Sequence, residues 1–459
     1  MLTKNQLISL QIAELNHLGF GVAKHDGMLV FFSCAVEGDV VEARIIKVDK
    51  TYAIAKTEAI KEPSPFRIEP MCKTASCGGC VYGSVSLARE NEVKKEGVRA
   101  AFRRAGICDA EIEDTVFVGE RYHYRNKAQY PVSKDKNGAV KIGFFAPKSH
   151  RVVEAAGCPL QPRELSLILE TVREFLVKYD ISIYDEANKE GLVRHICLRK
   201  GTVSGEISLC IVICGNALPH SDKLIDAITA SHKEVVGIEI NCNLKDTNVI
   251  YGDTFRVLWG RGHIYDTLCG VTLRLATPAF YQVNHAATER LYAIAKEKAE
   301  LKGDELLLDL FCGVGSIGLS MADKAGEVIG VEIIPEAVEC ANENARQNGI
   351  KNAAFYCADA NDPKALLSQA QEKRGAPIRP DVVVLDPPRK GCAAALLSYL
   401  ADSLSPEKIV YISCNPETLA RDAKLLVSLG YEMSAVTPVN LFPLTHHVES
   451  VVCLTRDLL

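Results

Sequence analysis

The stretch that most restricts the fold is residues 305–349, ELLLDLFCGVGSIGLSMADKAGEVIGVEIIPEAVECANENARQNG. An apolar run, LLLDLF, enters Gly313-x-Gly315-x-x-Gly318 and then a helical pattern. A second apolar run, EVIGVE, ends on Glu332. Glycines at this spacing allow a tight turn and a close approach of backbone to ligand. A carboxylate at the end of the second strand is placed to accept hydrogen bonds from ribose hydroxyls. From about residue 271 strand and helix alternate, which implies a parallel α/β sheet.

A dinucleotide-binding unit shares this pattern. Two features favour a methyltransferase instead: Asp309 just before the loop, and the later strand DVVVLDPPRKG at 381–391. There Asp386-Pro387-Pro388 makes a rigid edge at a strand's carboxyl end, where a nucleobase can lie.

Upstream the pattern differs. Residues 7–60 alternate apolar and polar in short runs divided by Gly-rich or acidic turns, the signature of a small antiparallel β-barrel. EPSPFRIEP (62–70) reads as a linker, and a charged helix is expected over 84–106, ending at Gly106. Strands and turns then run to about 265. The expected organisation is a barrel over 1–61, a central mostly-β region over 62–268, and an α/β Rossmann-like domain over 269–459, with the helix packing on either of the last two. No run reaches the length of a membrane span, and the N-terminus carries no apolar block before a small-residue cleavage site. The expectation is a cytoplasmic monomer acting without a membrane.

IVYISCNPETLARD (409–422) places Cys414 where an apolar strand opens into a turn. In a doubly wound sheet Cys414 and Asp386 share the carboxyl edge, where ligands bind. A thiolate adding to C6 of a pyrimidine turns C5 into a carbon nucleophile able to attack an electrophilic methyl. A base must then remove the C5 proton so that the sulfur can leave. Glu449 in THHVESVVCL is the candidate, with His446 and His447 as rivals and a solvated strand-end carboxylate as the plain alternative. Cys312 and pairs such as Cys210 and Cys214 read as packing.

Seventeen cysteines in a reducing compartment point to metal or catalysis rather than disulfides. Cys72-x4-Cys77-x2-Cys80, with Cys158 before a proline, suits four-thiolate ligation of an iron–sulfur cluster; a four-cysteine zinc site is the other option. The net charge of −5 gives no global sign of nucleic-acid binding. Locally, residues 121–151 carry eight Arg/Lys against Asp135 alone, a surplus of +7, interleaved with Tyr122, Tyr124, Tyr130, Phe144 and Phe145. Cations neutralise phosphates and aromatics stack on unpaired bases.

FCGVGSIGL, DPPRKG, ISCNPETLARD and HVESV together resemble the RNA uracil-C5 methyltransferases that use S-adenosylmethionine. The cysteine cluster and a TRAM-like first barrel resemble the branch acting on 23S ribosomal RNA. The resemblance implies Cys414 as nucleophile, Glu449 as base, and Gln282, Phe311, Glu332 and Asp386 as cofactor contacts. It also implies a [4Fe–4S] cluster on Cys72, Cys77, Cys80 and Cys158. The implied partner is structured RNA, 23S ribosomal RNA before transfer RNA, with the target uridine flipped out. A transfer-RNA enzyme is the neighbouring alternative; a non-catalytic iron–sulfur RNA-binding factor is the distant one.

Overall fold

The computed structural model describes residues 2–363 and 365–456, with the backbone alone for Ala75. The chain forms two compact units. One comprises Met1–Lys73, Gly79–Val118 and Leu385–Leu459; the other comprises Thr74–Gly78 and Gly119–Val384.

The first unit opens with a six-stranded sheet in the order Leu7–Gln11, Val40–Val48, Tyr52–Glu62, Met28–Ser33, Gly21–His25, Glu14–Leu15. Alternate residues face inward: Val41, Ala43 and Ile45 pack with Val30, Phe32, Ala53 and Ala55 in a dry core. The pairing departs from the wholly antiparallel expectation at one place. Met28–Ser33 runs parallel to Tyr52–Glu62, because the intervening strand Val40–Val48 pairs antiparallel with the far side of Tyr52–Glu62.

The expected helix is Leu87–Ala105. Ser86 caps its start by accepting from the Arg89 amide, and Gly106 (φ +87°) ends it in the left-handed conformation that glycine adopts without strain. Its buried face carries an ion pair, Lys94 Nζ–Glu90 Oε1 at 2.9 Å, with both side chains sealed from solvent. Lys94 also donates to Asn440 Oδ1 (2.5 Å) and Phe442 O (3.1 Å), while Glu90 Oε1 accepts from the Leu444 amide (2.9 Å). Lys424 Nζ donates to Ala105 O at the helix's end. The helix therefore packs on the C-terminal segment. That segment consists of strand Lys408–Ser413, helix Pro416–Ser428 and strand Glu449–Thr455, with Glu432–Met433 and Thr437–Val439 beside the last strand.

In the second unit a seven-stranded sheet runs in the order Thr254–Gly260, Val235–Cys242, Ile207–Ile213, Val193–Lys200, Lys127–Lys134, Val140–Phe145, Val152–Glu154. The expectation of a mostly-β region misses two helices here, Arg163–Lys178 and Ser221–Ser231. Both are amphipathic. Leu165, Ile168, Leu169, Val172, Leu224 and Ile228 seal one face of the sheet against Ile196, Leu198, Leu209 and Ile238. After the hairpin His263–Leu268/Val271–Ala276, parallel strands lie in the order Ala353–Cys357, Glu327–Glu332, Leu306–Leu310, Val382–Leu385. Among the described residues no helix is long and apolar enough to cross a membrane.

Candidate active site

Strand Lys408–Ser413 pairs antiparallel with Glu449–Thr455, and its last rung joins Ser413 to Ser450. The next position on each side brings Cys414 opposite Glu449. Cys414 is half-buried; Glu449 is only 3% exposed. Burial, then the charges of Glu449 and Asp386, push the Cys414 thiol up to about 11, with Arg389 opposing. Burial, then Asp386, push the Glu449 carboxyl up to about 8, again against Arg389. Asp386 rises to about 7 through burial, although part of its surface stays open. Three acidic groups thus share one charge field, opposed by the Arg389 cation.

The SCNPETLARD run also builds the scaffold. Asn415 caps helix Pro416–Ser428 by accepting from the Glu417 amide, and its Nδ2 donates to Arg389 O (3.0 Å). Thr418 Oγ1 donates to the same carbonyl, and Arg421 Nη2 to Lys390 O (3.0 Å) and Cys392 O (3.2 Å). Buried Asp422 accepts from Tyr411 OH (2.7 Å) and the Cys392 amide (2.9 Å). These bonds hold the DPPRKG loop in place. Gly391 completes it at φ +73°, where a Cβ would stand 2.5 Å from Asp422 Oδ2. Arg389 and these loop-holding residues were not assigned roles from the sequence, where Asn-Pro reads only as the turn after the strand. His447 Nε2 lies 3.3 Å from Arg389 Nη2, and burial lowers the pKa of His446.

The second unit carries Gln282, Phe311 and Glu332. Phe311 ends its buried strand at φ +64°, a conformation aromatic residues rarely adopt. Gly313 (φ +54°) has open space where a Cβ would stand, whereas at Gly318 a Cβ would meet Asp309 Oδ2 at 2.9 Å. The Asp309 carboxylate accepts from the Gly318 amide (2.8 Å) and so locks the loop to the strand. Glu332 accepts from the amides of Gly313 (3.1 Å), Ile333 (2.8 Å) and Ile334 (3.0 Å). A carboxylate has about four lone-pair sites, so one remains for a ligand hydroxyl. Ile333 beside it is 59% exposed, an apolar surface at the strand edge. Gln282 is buried, and its carbonyl accepts from Asn126 Nδ2 at 3.0 Å. An open-sided glycine loop with a spare acceptor next to an apolar face fits an adenosyl cofactor.

One expectation is left open and one needs correction. Among the described residues no group of three or more His, Cys, Asp or Glu side chains is gathered as a metal site, so the structure gives no support to a centre on Cys72, Cys77, Cys80 and Cys158. The aromatic faces of 121–151 are also fewer than expected. Tyr130 is fully buried, Phe144 packs on it with ring centroids 5.1 Å apart, and Tyr124 is 8% exposed. Strand alternation turns Tyr130 inward; of the five, Phe145 is exposed and Tyr122 and Phe144 are half-buried.

The comparisons with known proteins agree with this geometry. Residues 268–457 match the family described as tRNA (uracil-5-)-methyltransferase, and residues 2–57 match the TRAM domain. An uncharacterized RNA methyltransferase of Clostridium tetani is 40% identical, over 98% of this chain and 97% of the relative. This chain belongs to the RNA (uracil-5-)-methyltransferase family. Another such relative, from Halalkalibacterium halodurans, is 39% identical over 98% of this methyltransferase and 97% of its own length. Among solved structures, the tRNA (uracil-54, C5)-methyltransferase of Pyrococcus abyssi in complex with S-adenosyl-L-homocysteine superposes with a TM-score of 0.77. It is 26% identical, over 98% of this chain and 100% of the other.

Proposed function

We propose that this enzyme methylates C5 of a uridine in structured RNA through a transient bond between Cys414 Sγ and C6 of the base. The carrying observation is the shared rung of Cys414 and Glu449 beside Asp386 and Arg389. S-adenosylmethionine, when bound, supplies an electrophilic methyl group; Gln282, Phe311, Glu332 and Asp386 are the residues proposed to hold it. The thiol is protonated at neutral pH, so its proton passes to solvent water as sulfur bonds to C6, and the C5–C6 electron pair moves onto C5 and the O4 carbonyl. The Arg389 cation offsets that charge. Once C5 carries its methyl, ionised Glu449 takes the C5 proton. The electron pair re-forms C5=C6, the C6–S bond breaks, and the thiolate recovers a proton. Burial serves this step: a carboxylate with a raised pKa is a stronger base than one in water.

Ribosomal 23S RNA is the favoured substrate, supported by the resemblance of the TRAM domain and cysteine spacing to that branch. A transfer-RNA target is the second reading, supported by the solved Pyrococcus abyssi relative. The [4Fe–4S] centre on Cys72, Cys77, Cys80 and Cys158 is kept as a proposal on the Cys-x4-Cys-x2-Cys spacing alone. Iron and acid-labile sulfide content of anaerobically purified protein tests it, with Cys77→Ser as control.

RNA containing 5-fluorouridine tests the chemistry, because fluorine at C5 cannot leave as a proton. A denaturation-resistant protein–RNA adduct is expected, lost in Cys414→Ala; no adduct with the wild type would overturn the covalent route. Mapping of 5-methyluridine in ribosomal and transfer RNA from a strain lacking the gene separates the two substrates.

A further inference from the structure

In the second unit a cleft of about 460 Å³ is lined by Tyr122, His123, Asn126, Arg163, Lys200 and His285, among others. It has no part in the chemistry above, and its size falls within the roughly 300–1,000 Å³ of small-ligand sites. Its polar groups have defined roles. Asn126 is 2% exposed; its Nδ2 donates to the Gln282 carbonyl at 3.0 Å, which fixes the amide's orientation. Oδ1, thus identified as the acceptor, has no hydrogen-bond partner. A buried acceptor left unpaired costs about 1–3 kcal/mol, so the site is built for a ligand that donates. His123 Nδ1 lies 2.8 Å from Gln161 O. A carbonyl only accepts, so the neutral ring presents Nε2 as a second acceptor.

Charge narrows the ligand further. Arg163 and Lys200 are balanced by Glu120 and Glu164 on the same walls, and Lys200 Nζ bonds Glu164 Oε1 at 2.8 Å. A near-neutral cleft with aromatic rings and free acceptors suits a planar heterocycle bearing an amino group; a phosphate would meet two carboxylates. The walls open the basic segment 121–151. We infer that this cleft receives a second unpaired nucleotide of the RNA, an amino-bearing base other than the target uridine. The inference rests on the proposed RNA-methylating function.

The test uses the full-length enzyme and total RNA from a strain lacking the gene. Ultraviolet cross-linking followed by peptide mass spectrometry is expected to place an adenosine or cytidine adduct on the peptide carrying Tyr122 and His123. Tyr122→Ala and His123→Ala are each expected to raise KM for that RNA about tenfold, leaving KM for S-adenosylmethionine and the modified position unchanged. Cross-links confined to other segments, or an unaltered RNA KM in both variants, would overturn the inference. A wild type forming no 5-methyluridine would instead sink the functional reading and is scored separately.

Discussion

Cys414 and Glu449 face each other one rung beyond the Ser413–Ser450 pair, although 35 positions separate them in the chain. Antiparallel register sets the proposed nucleophile beside the group proposed to release it. This pairing has consequences for activity, pH response and stability.

Replacing Glu449 with Gln removes the proposed base but keeps the shape. Methylated RNA should then stay bonded to Cys414, and turnover should fall by about 10²–10⁴-fold, the usual contribution of a positioned base. Denaturing gels with labelled RNA would show the trapped complex. Fast turnover without a trapped species would assign the base role elsewhere, His446 being the next group to test.

Glu449 titrates near 8, so below that pH the free enzyme holds it protonated and unable to accept a proton. kcat should climb about tenfold per pH unit from 6 toward 8, because the base acts after methyl transfer. Glu449→Gln should lose this limb. A flat profile in the wild type would contradict the role.

The same shift bears on stability. The folded-state pKa of Glu449, about 8, lies above the ordinary value of about 4.3. Its contribution to stability is complete below pH 4.3 and declines as pH rises through 8, by at most about 1.4 kcal/mol per unit. Glu449→Gln should therefore melt at a higher temperature than the wild type, with a gain that grows between pH 5 and 9. Calorimetry over that range reads it; a pH-independent difference would mean the carboxyl is not so strongly perturbed.

Gly391→Ala should damage the loop that carries Asp386 and Arg389. The alanine must adopt φ +73° with its Cβ 2.5 Å from Asp422 Oδ2 and 2.6 Å from Arg421 Nη2. A loss of about 1–3 kcal/mol in urea unfolding is expected, with methyl transfer falling further than stability alone explains. Wild-type activity in this variant would show that the loop's geometry is dispensable.

The buried pair Lys94–Glu90 braces segment 440–444, just ahead of Glu449. Removing one partner, as in Lys94→Met, should cost about 3–5 kcal/mol, because the other charge stays buried. Lys94→Met with Glu90→Leu should recover part of that loss in the same unfolding experiment.

Much of this was legible in the chain. Local chemistry wrote the glycine loop after a buried strand, the break at Asn-Pro after Cys414, and the helix end at Gly106. The helices of the central region were missed because their apolar positions, spaced for one sheet face, lie among runs that read equally well as strand. The inward turn of Tyr130 and Phe144 was missed because a basic, aromatic stretch reads as surface until strand register assigns each side chain a face.

The sequence by itself determined the family, the candidate thiol at Cys414 and the shape of the glycine loop, since each depends on contiguous residues and their backbone preferences. Only the tertiary structure decided that Glu449 lies across from Cys414, that burial raises both pKa values, and that Asn126 keeps an unused acceptor beside a cleft. Those properties arise from desolvation and from pairing between distant segments, and neither is a property of any short run of residues.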